Sequence, residues 1–428
     1  MASKLRIIVT GLIAQHPHLG GMTWHYLQYA AGLSRLGHDV YYFEDSGEWP
    51  YYLDGTVANR HIPRECKFNI GYLSTVLSRF GLQEKWAYCC AIQPKWFGLP
   101  AKKRSEVLKS ADLLLNVSGA LRRPDDYRQV PRLAYIDSDP VFTQIKLKAR
   151  RGHRKFQKRV RAHDIHFSFG ECLSEDFSAG LTWLPTRNPI LLSDWEPSPV
   201  KRNIFTTVMN WTSYTPLKYQ GQRYGQKDFE LIKFVDLPRL VKPVRLEIAL
   251  TQPNHMDWQT QENDRSGAAV RFWGNRRQGS PVNILQRMGW HIVKATKVCP
   301  SLDQYRAYIA SSKAEWSIAK NGYVRGKSGW FSERSACYLA AGKPVVVQDT
   351  GFGKVLPVGK GILAFTTLEQ ARHTIEEVNR NYKLHAKAAR EIAEAYFDSD
   401  KVLGQLVEKA MTAPLRSVST SRGVCHAG

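Results

Sequence analysis

Apolar and polar positions follow two rhythms along this chain. "LRIIVTG", residues 5–11, is a short β-branched run ending on glycine, and "MTWHYLQYAAGLSRLG", residues 22–37, carries apolar residues at helical spacing. "HDVYYFE", residues 38–44, returns to a strand pattern, so the opening predicts strand, loop, helix, strand, with "LIAQHPHLGG" as the loop. Gly37 stands where a glycine ends a helix. Strand patterns recur at "ADLLLNVSG" (111–119), "RLAYIDSD" (132–139) and "DIHFSFGE" (164–171), separated by helical or irregular segments. Strands alternating with helices imply a parallel sheet covered on both faces.

Around residues 184–202 the periodicity disappears and prolines accumulate at Pro185, Pro189, Pro197 and Pro199, which sets a domain boundary near residue 195. A second alternating series follows in "NIFTTVMNW", "VRLEIALT", "GWHIVKA", "AEWSIAK" and "PVVVQD". The last long helical pattern runs from about Leu368 to Met411, with a break at "AYFDSDK". The expected organisation is α/β: one Rossmann-like unit over 1–195, a second over 196–385, a helix over 386–412 returning to the first, and a disordered tail over 413–428.

Composition and charge add partners. At 428 residues the chain is too long for one ordinary core, and 43% hydrophobic residues suffice for two. No run approaches the roughly 20 apolar residues of a membrane helix, and "LRIIVTG" reads as a core strand rather than a signal peptide, so a cytoplasmic protein is expected. The seven cysteines show no zinc-ligand spacing and read as reduced, buried thiols. A formal charge of +23 calls for nucleic acid, an anionic membrane face or phosphorylated substrates. Between Lys146 and Arg161 there are nine Lys or Arg and no acid. As one helix, this stretch would align Arg150, Arg154, Lys158 and Arg161 outward over a narrow Phe156 and Val160 stripe, suiting a polyanion or the inner membrane face.

In open parallel sheets, ligands bind beyond the carboxyl ends of the strands, where loops enter helix N-termini. That rule selects Gly20 and Gly21 after the first strand, and Lys227 in "YQGQRYGQKDFELIKF". It also selects Lys320, Arg325, Lys327, Ser332, Glu333 and Arg334 in and around "NGYVRGKSGWFSER", and Asp349, Thr350 and Gly351 after "PVVV". G-x-x-x-x-G-K-[ST] is absent, the first loop is not G-x-G-x-x-G, and H-E-x-x-H and G-x-S-x-G are missing.

"GLSRLGHDVYYFE" and, more specifically, "YLAAGKPVVVQDTGFGKVLPVGKGILAF" resemble glycosyltransferases of the GT-B fold. The resemblance implies two Rossmann-like domains with parallel sheets facing a central cleft. It also implies a nucleoside diphosphate sugar as donor substrate, no permanently bound cofactor and no essential metal. The paired glutamates common in retaining members would fall at Gly329 and Cys337, counting back from Pro344, so neither is present. Arg334, three residues before the usual glutamate position, is similar to an arginine of spore-maturation-type members. Inverting relatives place a catalytic histidine near the first loop, which implies His16 or His18 as base, with Asp137 and Asp139 as orienting acids. Stereochemistry and acceptor stay open. So do a non-catalytic GT-B scaffold, a nucleic-acid-binding protein and a nucleotide-sugar epimerase.

Overall fold

The computed structural model describes residues 4–52, 65–93, 95–251 and 281–414. The first sheet contains β1 (Arg6–Thr10), β2 (Asp39–Glu44), β3 (Trp86–Cys90), β4 (Lys95–Gly98), β5 (Leu113–Val117), β6 (Leu133–Asp137), β7 (Ile165–Ser168) and β8 (Trp183–Pro185). Their order is β4-β3-β2-β1-β5-β6-β7-β8, parallel throughout except where β4 folds back on β3. The chain then enters β9 (Arg202–Asn210) and the small antiparallel hairpin of β10 (Leu217–Tyr219) and β11 (Gln222–Tyr224). β12 (Arg245–Thr251), β13 (His291–Lys294), β14 (Ser312–Ser317), β15 (Val345–Gln348) and β16 (Ile362–Phe365) complete a second, all-parallel sheet ordered β13-β12-β9-β14-β15-β16. Val9 pairs with Tyr42 and Leu115 in the first sheet, Val346 with Trp316 and Leu363 in the second.

The strand patterns form because their apolar runs are buried on both faces: Ile7, Ile8 and Val9 of β1 and Val345 and Val346 of β15 are fully buried. β3, β4, β8 and the β10–β11 hairpin escape the sequence reading. Each is five residues or fewer, and apart from β3 these strands are largely half-exposed or exposed.

Gly20 and Gly21 open the helix Gly20–Arg35 instead of lying in the preceding loop. A Cβ on Gly20 would collide with the Ser301 carbonyl, and one on Gly21 would come within 2.9 Å of the Tyr305 ring. Here the glycines permit close packing of the first helix against the helix Leu302–Ser311.

The basic stretch is two helices, Phe142–Lys148 and Arg154–Arg161, not one. The chain turns between them, with Gly152 at φ +83°, so Arg150 does not share a helix face with Arg154 and Lys158. Val160 docks the second helix while Arg154, Lys155, Lys158 and Arg161 stay exposed.

The C-terminal pattern forms helices Leu368–Arg380, Tyr382–Tyr396 and Ser399–Thr412; the break at Phe397–Asp398 matches the expectation, and Asn381 adds another. At the later break, Ile190 donates to the Phe397 carbonyl at 2.7 Å and accepts from the Ser399 amide at 2.9 Å. Ser399–Thr412 then packs on Gly20–Arg35 through Leu403 and Gly32, and Arg132 donates to the carbonyls of Ala410 and Ala413. The tail expected to be disordered lies outside the described residues from 415 onward.

Cys66 and Cys90 form a disulfide, which corrects the expectation of reduced thiols. β3 carries Cys90 up to the start of the helix Lys67–Ser78, a proximity that their separation of 24 residues conceals. No helix among the described residues is long and apolar enough to cross a membrane.

Candidate functional site

The carboxyl ends of the two parallel sheets frame a cavity of about 420 Å³. Ser118 follows β5, Ser138 follows β6, Asn210 ends β9, Thr251 ends β12 and Lys320 follows β14; all line it. The strand-end rule therefore holds for both sheets at once.

One wall carries His25, in the second turn of the helix Gly20–Arg35. Its Nε2 lies 3.1 Å from Ser118 Oγ, which accepts a 2.7 Å hydrogen bond from Ser138 Oγ. Ser118 holds a left-handed φ of +56°, uncommon for a residue other than glycine. Burial pushes the His25 imidazole down to about 4, so it is neutral near pH 7.

The opposite wall carries the cations. Lys227 is the N-cap of the short helix Asp228–Leu231. Burial, then the charges of Arg334 and Lys320, push its ammonium well below the usual lysine range, and it has no ion pair among the described residues. Lys320 reaches across to the first sheet's loops, 2.8 Å from Asp139 Oδ1, and lies 3.2 Å from the hydroxyl of Tyr214, which follows β9. Arg334 donates from Nε to Glu315 Oε1 at 2.5 Å, from Nη1 to the Val208 carbonyl and from Nη2 to Ser317 Oγ. Arg334 thus lines the cavity while anchored in an ion pair with a fully buried carboxylate.

Glu333 begins the helix Glu333–Ala340 and also lines the cavity. Its Oε1 accepts from Gln28 Nε2 at 3.1 Å and from Cys337 Sγ at 3.1 Å. Cys337 occupies the expected glutamate position, and one turn earlier on the same helix face Glu333 brings a carboxylate to that thiol. Burial pushes the Glu333 carboxyl from 4.5 up to about 7. The unfolded chain releases this proton near 4.5 and the folded chain near 7, so native stability falls as pH rises through that interval. We predict that Glu333→Gln flattens this fall when melting temperature is followed from about pH 5 to about pH 8; an unchanged profile would assign the titration elsewhere.

The other expected site residues divide by geometry. Gly20, Gly21 and Ser332 line the cavity, but the Gly20 N–H is spent on the Cys299 carbonyl at 3.0 Å and does not face a ligand. His16 and His18 do not line it: they pack on Tyr51, with ring centroids 4.6 and 5.6 Å away, and burial followed by the His18 charge pushes His16 down to about 3. The first loop folds back on itself, His16 N–H to Leu12 carbonyl, which turns both rings from the cavity. Asp137 is buried in the wall and accepts from Thr143, Gln144 and Ser168; burial raises its carboxyl to about 6. Burial alone would raise Asp139 too, but the charges of Lys320 and Lys146 outweigh it and hold Asp139 below its ordinary value.

Arg325, Lys327, Asp349, Thr350 and Gly351 lie outside the cavity lining. Lys327 pairs with Asp349 at 2.8 Å, Gly329 donates to the Thr350 carbonyl, and a Cβ on Gly351 would meet the Lys327 carbonyl at 2.8 Å. These contacts fasten "GWFSER" to "QDTGF", and Arg325 binds Gln222 of the hairpin. His25, Ser118 and Ser138 were missed. Ser118 and Ser138 follow strands in "NVSG" and "IDSD", so the strand-end rule could have found them, whereas His25 sits inside a helix pattern.

No protein-family model and no curated protein matches the sequence. Solved structures do match. HepE of Anabaena, in complex with UDP-glucose, has a TM-score of 0.55 and 13% identity over 96% of this chain and 100% of that one. Sucrose-phosphate synthase from Thermosynechococcus elongatus has a TM-score of 0.51 and 11% identity over 95% and 98%. An E. coli trehalose-6-phosphate synthase bound with UDP-2-fluoro glucose has a TM-score of 0.50 and 10% identity over 96% and 100%. The chain has the GT-B fold, as its sequence resemblance implied.

Proposed function

We propose that the chain is a glycosyltransferase that moves a sugar from a nucleoside diphosphate sugar to an acceptor nucleophile. The observation that carries this reading is Lys227, a half-buried lysine on a cavity wall beside Lys320 and Arg334, with no ion pair among the described residues. Keeping such a charge is costly unless an anion completes it. A diphosphate leaving group is that anion, and Lys227, Lys320 and Arg334 supply positive charge where negative charge develops. Glu333 and Ser332 take the donor's hydroxyl groups.

In this reading residues 1–195 form the acceptor-side domain, 196–385 the donor-binding domain, and 386–412 the helical return to the first. His25, neutral and hydrogen-bonded to Ser118, is the acceptor-side proton acceptor. Asp139 orients Lys320 toward the cavity rather than assisting a histidine. The likeness to structures holding UDP-glucose and UDP-2-fluoro glucose favours a uridine nucleotide as donor carrier.

A thermal-shift screen against nucleoside diphosphates and their sugars tests the proposal. A ligand at 100 times its dissociation constant adds about 2.7 kcal/mol, so a true donor stands out. Release of free sugar from that donor would separate an enzyme from a scaffold that merely binds. No stabilisation by any member of the panel would remove the reading.

A second role is favoured by the helix Arg154–Arg161, docked by Val160 with its basic residues outward. We predict that replacing Arg154, Lys158 and Arg161 with Gln weakens binding to anionic vesicles and leaves donor hydrolysis unchanged, as vesicle sedimentation and sugar-release assays would report. Equal loss of both activities would assign this helix to the active site.

A further inference from the structure

A second cavity, about 170 Å³, lies apart from the first between the ends of β7 and β8 and the C-terminal helices. Glu171 follows β7 and Arg187 follows β8, both at strand carboxyl ends. The helix Ser399–Thr412 forms the facing wall with Lys401, Gln405 and Lys409, spaced four residues apart and therefore on one face. Tyr396 lines it as well, with the Arg187 guanidinium 5.2 Å from the ring centroid.

The charges in this cavity do not balance. Arg187 is compensated by Glu171 at 2.6 Å and donates also to the Val355 carbonyl at 3.2 Å. Lys401 donates to the Glu394 carbonyl at 2.8 Å and Lys409 to the Pro185 carbonyl at 3.4 Å; neither has a carboxylate partner among the described residues. The lining thus carries three cations against one acid. Gln405 adds an amide donor between the two lysines. The volume is well under half that of the interdomain cavity, which suits a small molecule rather than a nucleotide.

We infer that this cavity is a binding site for a small soluble dianion of the phosphate-monoester class, separate from the sugar-nucleotide cavity. Lys401 and Lys409 supply its charge partners, Gln405 and the free donor capacity of Arg187 its further hydrogen bonds. Arg187 touches Val355, just past the "QDTGF" turn, while Lys401 and Tyr396 flank the break at Phe397–Asp398 where the chain returns to the first sheet. Occupancy of the site therefore bears on the junction between the two sheets. The inference goes beyond the proposed transfer activity and does not depend on it.

Calorimetric titration of the full chain with glycerol 3-phosphate at constant ionic strength tests it. Three proteins are compared: wild type, Lys227→Gln, and the double variant Lys401→Gln/Lys409→Gln. Wild type and Lys227→Gln should each bind one equivalent. The double variant should bind roughly a hundredfold more weakly, about tenfold per lost charged contact. Arginine at both positions should retain binding, which controls for a folding defect. Undiminished binding in the double variant, or loss in Lys227→Gln alone, would place the anion in the larger cavity and overturn the inference. So would no saturable binding by wild type. Vesicles of phosphatidylcholine doped with phosphatidic acid give the other arm: capture by these vesicles without uptake of the free monoester would make the ligand a lipid headgroup and overturn the soluble assignment.

Discussion

Replacing Lys227 with Met is expected to slow sugar transfer by roughly a hundred- to a thousandfold, the loss typical of one charge-stabilising contact in a water-poor site, while raising the melting temperature. The two effects share a cause. In the free protein Lys227 is half-buried, its ammonium form is disfavoured by burial and by the charges of Arg334 and Lys320, and it has no ion pair among the described residues. Folding therefore bears a cost that methionine, of similar length and without charge, does not. The pH dependence follows. The unfolded chain holds this proton up to about pH 10.4, the folded chain gives it up well below that, and so wild-type stability rises with pH through the interval between them. Lys227→Met should lack that rise. Calorimetric melting beside a sugar-release assay checks both halves. A variant that loses stability and keeps activity would show that Lys227 is a structural residue.

Arg334→Ala is expected to behave in the opposite way, destabilising the fold by about 3 to 5 kcal/mol because it leaves a buried carboxylate unpaired. Glu315 is fully buried, and Arg334 supplies its 2.5 Å partner besides bonding Val208 and Ser317. Transfer should fall as well, since the guanidinium lines the cavity beside Lys227. Adding Glu315→Gln separates the two roles. In Arg334→Ala/Glu315→Gln the stranded charge is gone, so denaturant unfolding should recover much of the lost stability while transfer stays low. Recovery of both together would mean that Arg334 serves the donor only by supporting the fold.

Much of this was legible in the sequence. The central strands of the two sheets that frame the site follow β-branched or aliphatic runs such as "RIIVT", "LLLNV" and "VVVQ", buried on both faces, and their shortness, β-branched content and flanking turn residues identify them. Lys227, Lys320, Glu333 and Arg334, which all line the cavity, could be singled out because each comes after a strand of a parallel series, and such ends converge on one edge. What sequence reasoning lacked was pairing. Nothing local says that Arg334 belongs to Glu315, that Lys320 reaches Asp139 from the other sheet, or that Asp349 is taken by Lys327. Those partners decide which cation is already neutralised and which is not. His16 and His18 do not line the cavity for a related reason: they lie in the expected loop, but its fold-back packs them against Tyr51, while His25 reaches the cavity from inside a helix.

A crystallographic soak of the wild-type protein with a nucleoside diphosphate is the most direct test of the central claim. The account predicts the diphosphate in the cavity between the two sheets, within hydrogen-bonding distance of Lys227 Nζ and beside Arg334. A diphosphate bound elsewhere, with Lys227 still unpaired, would contradict it.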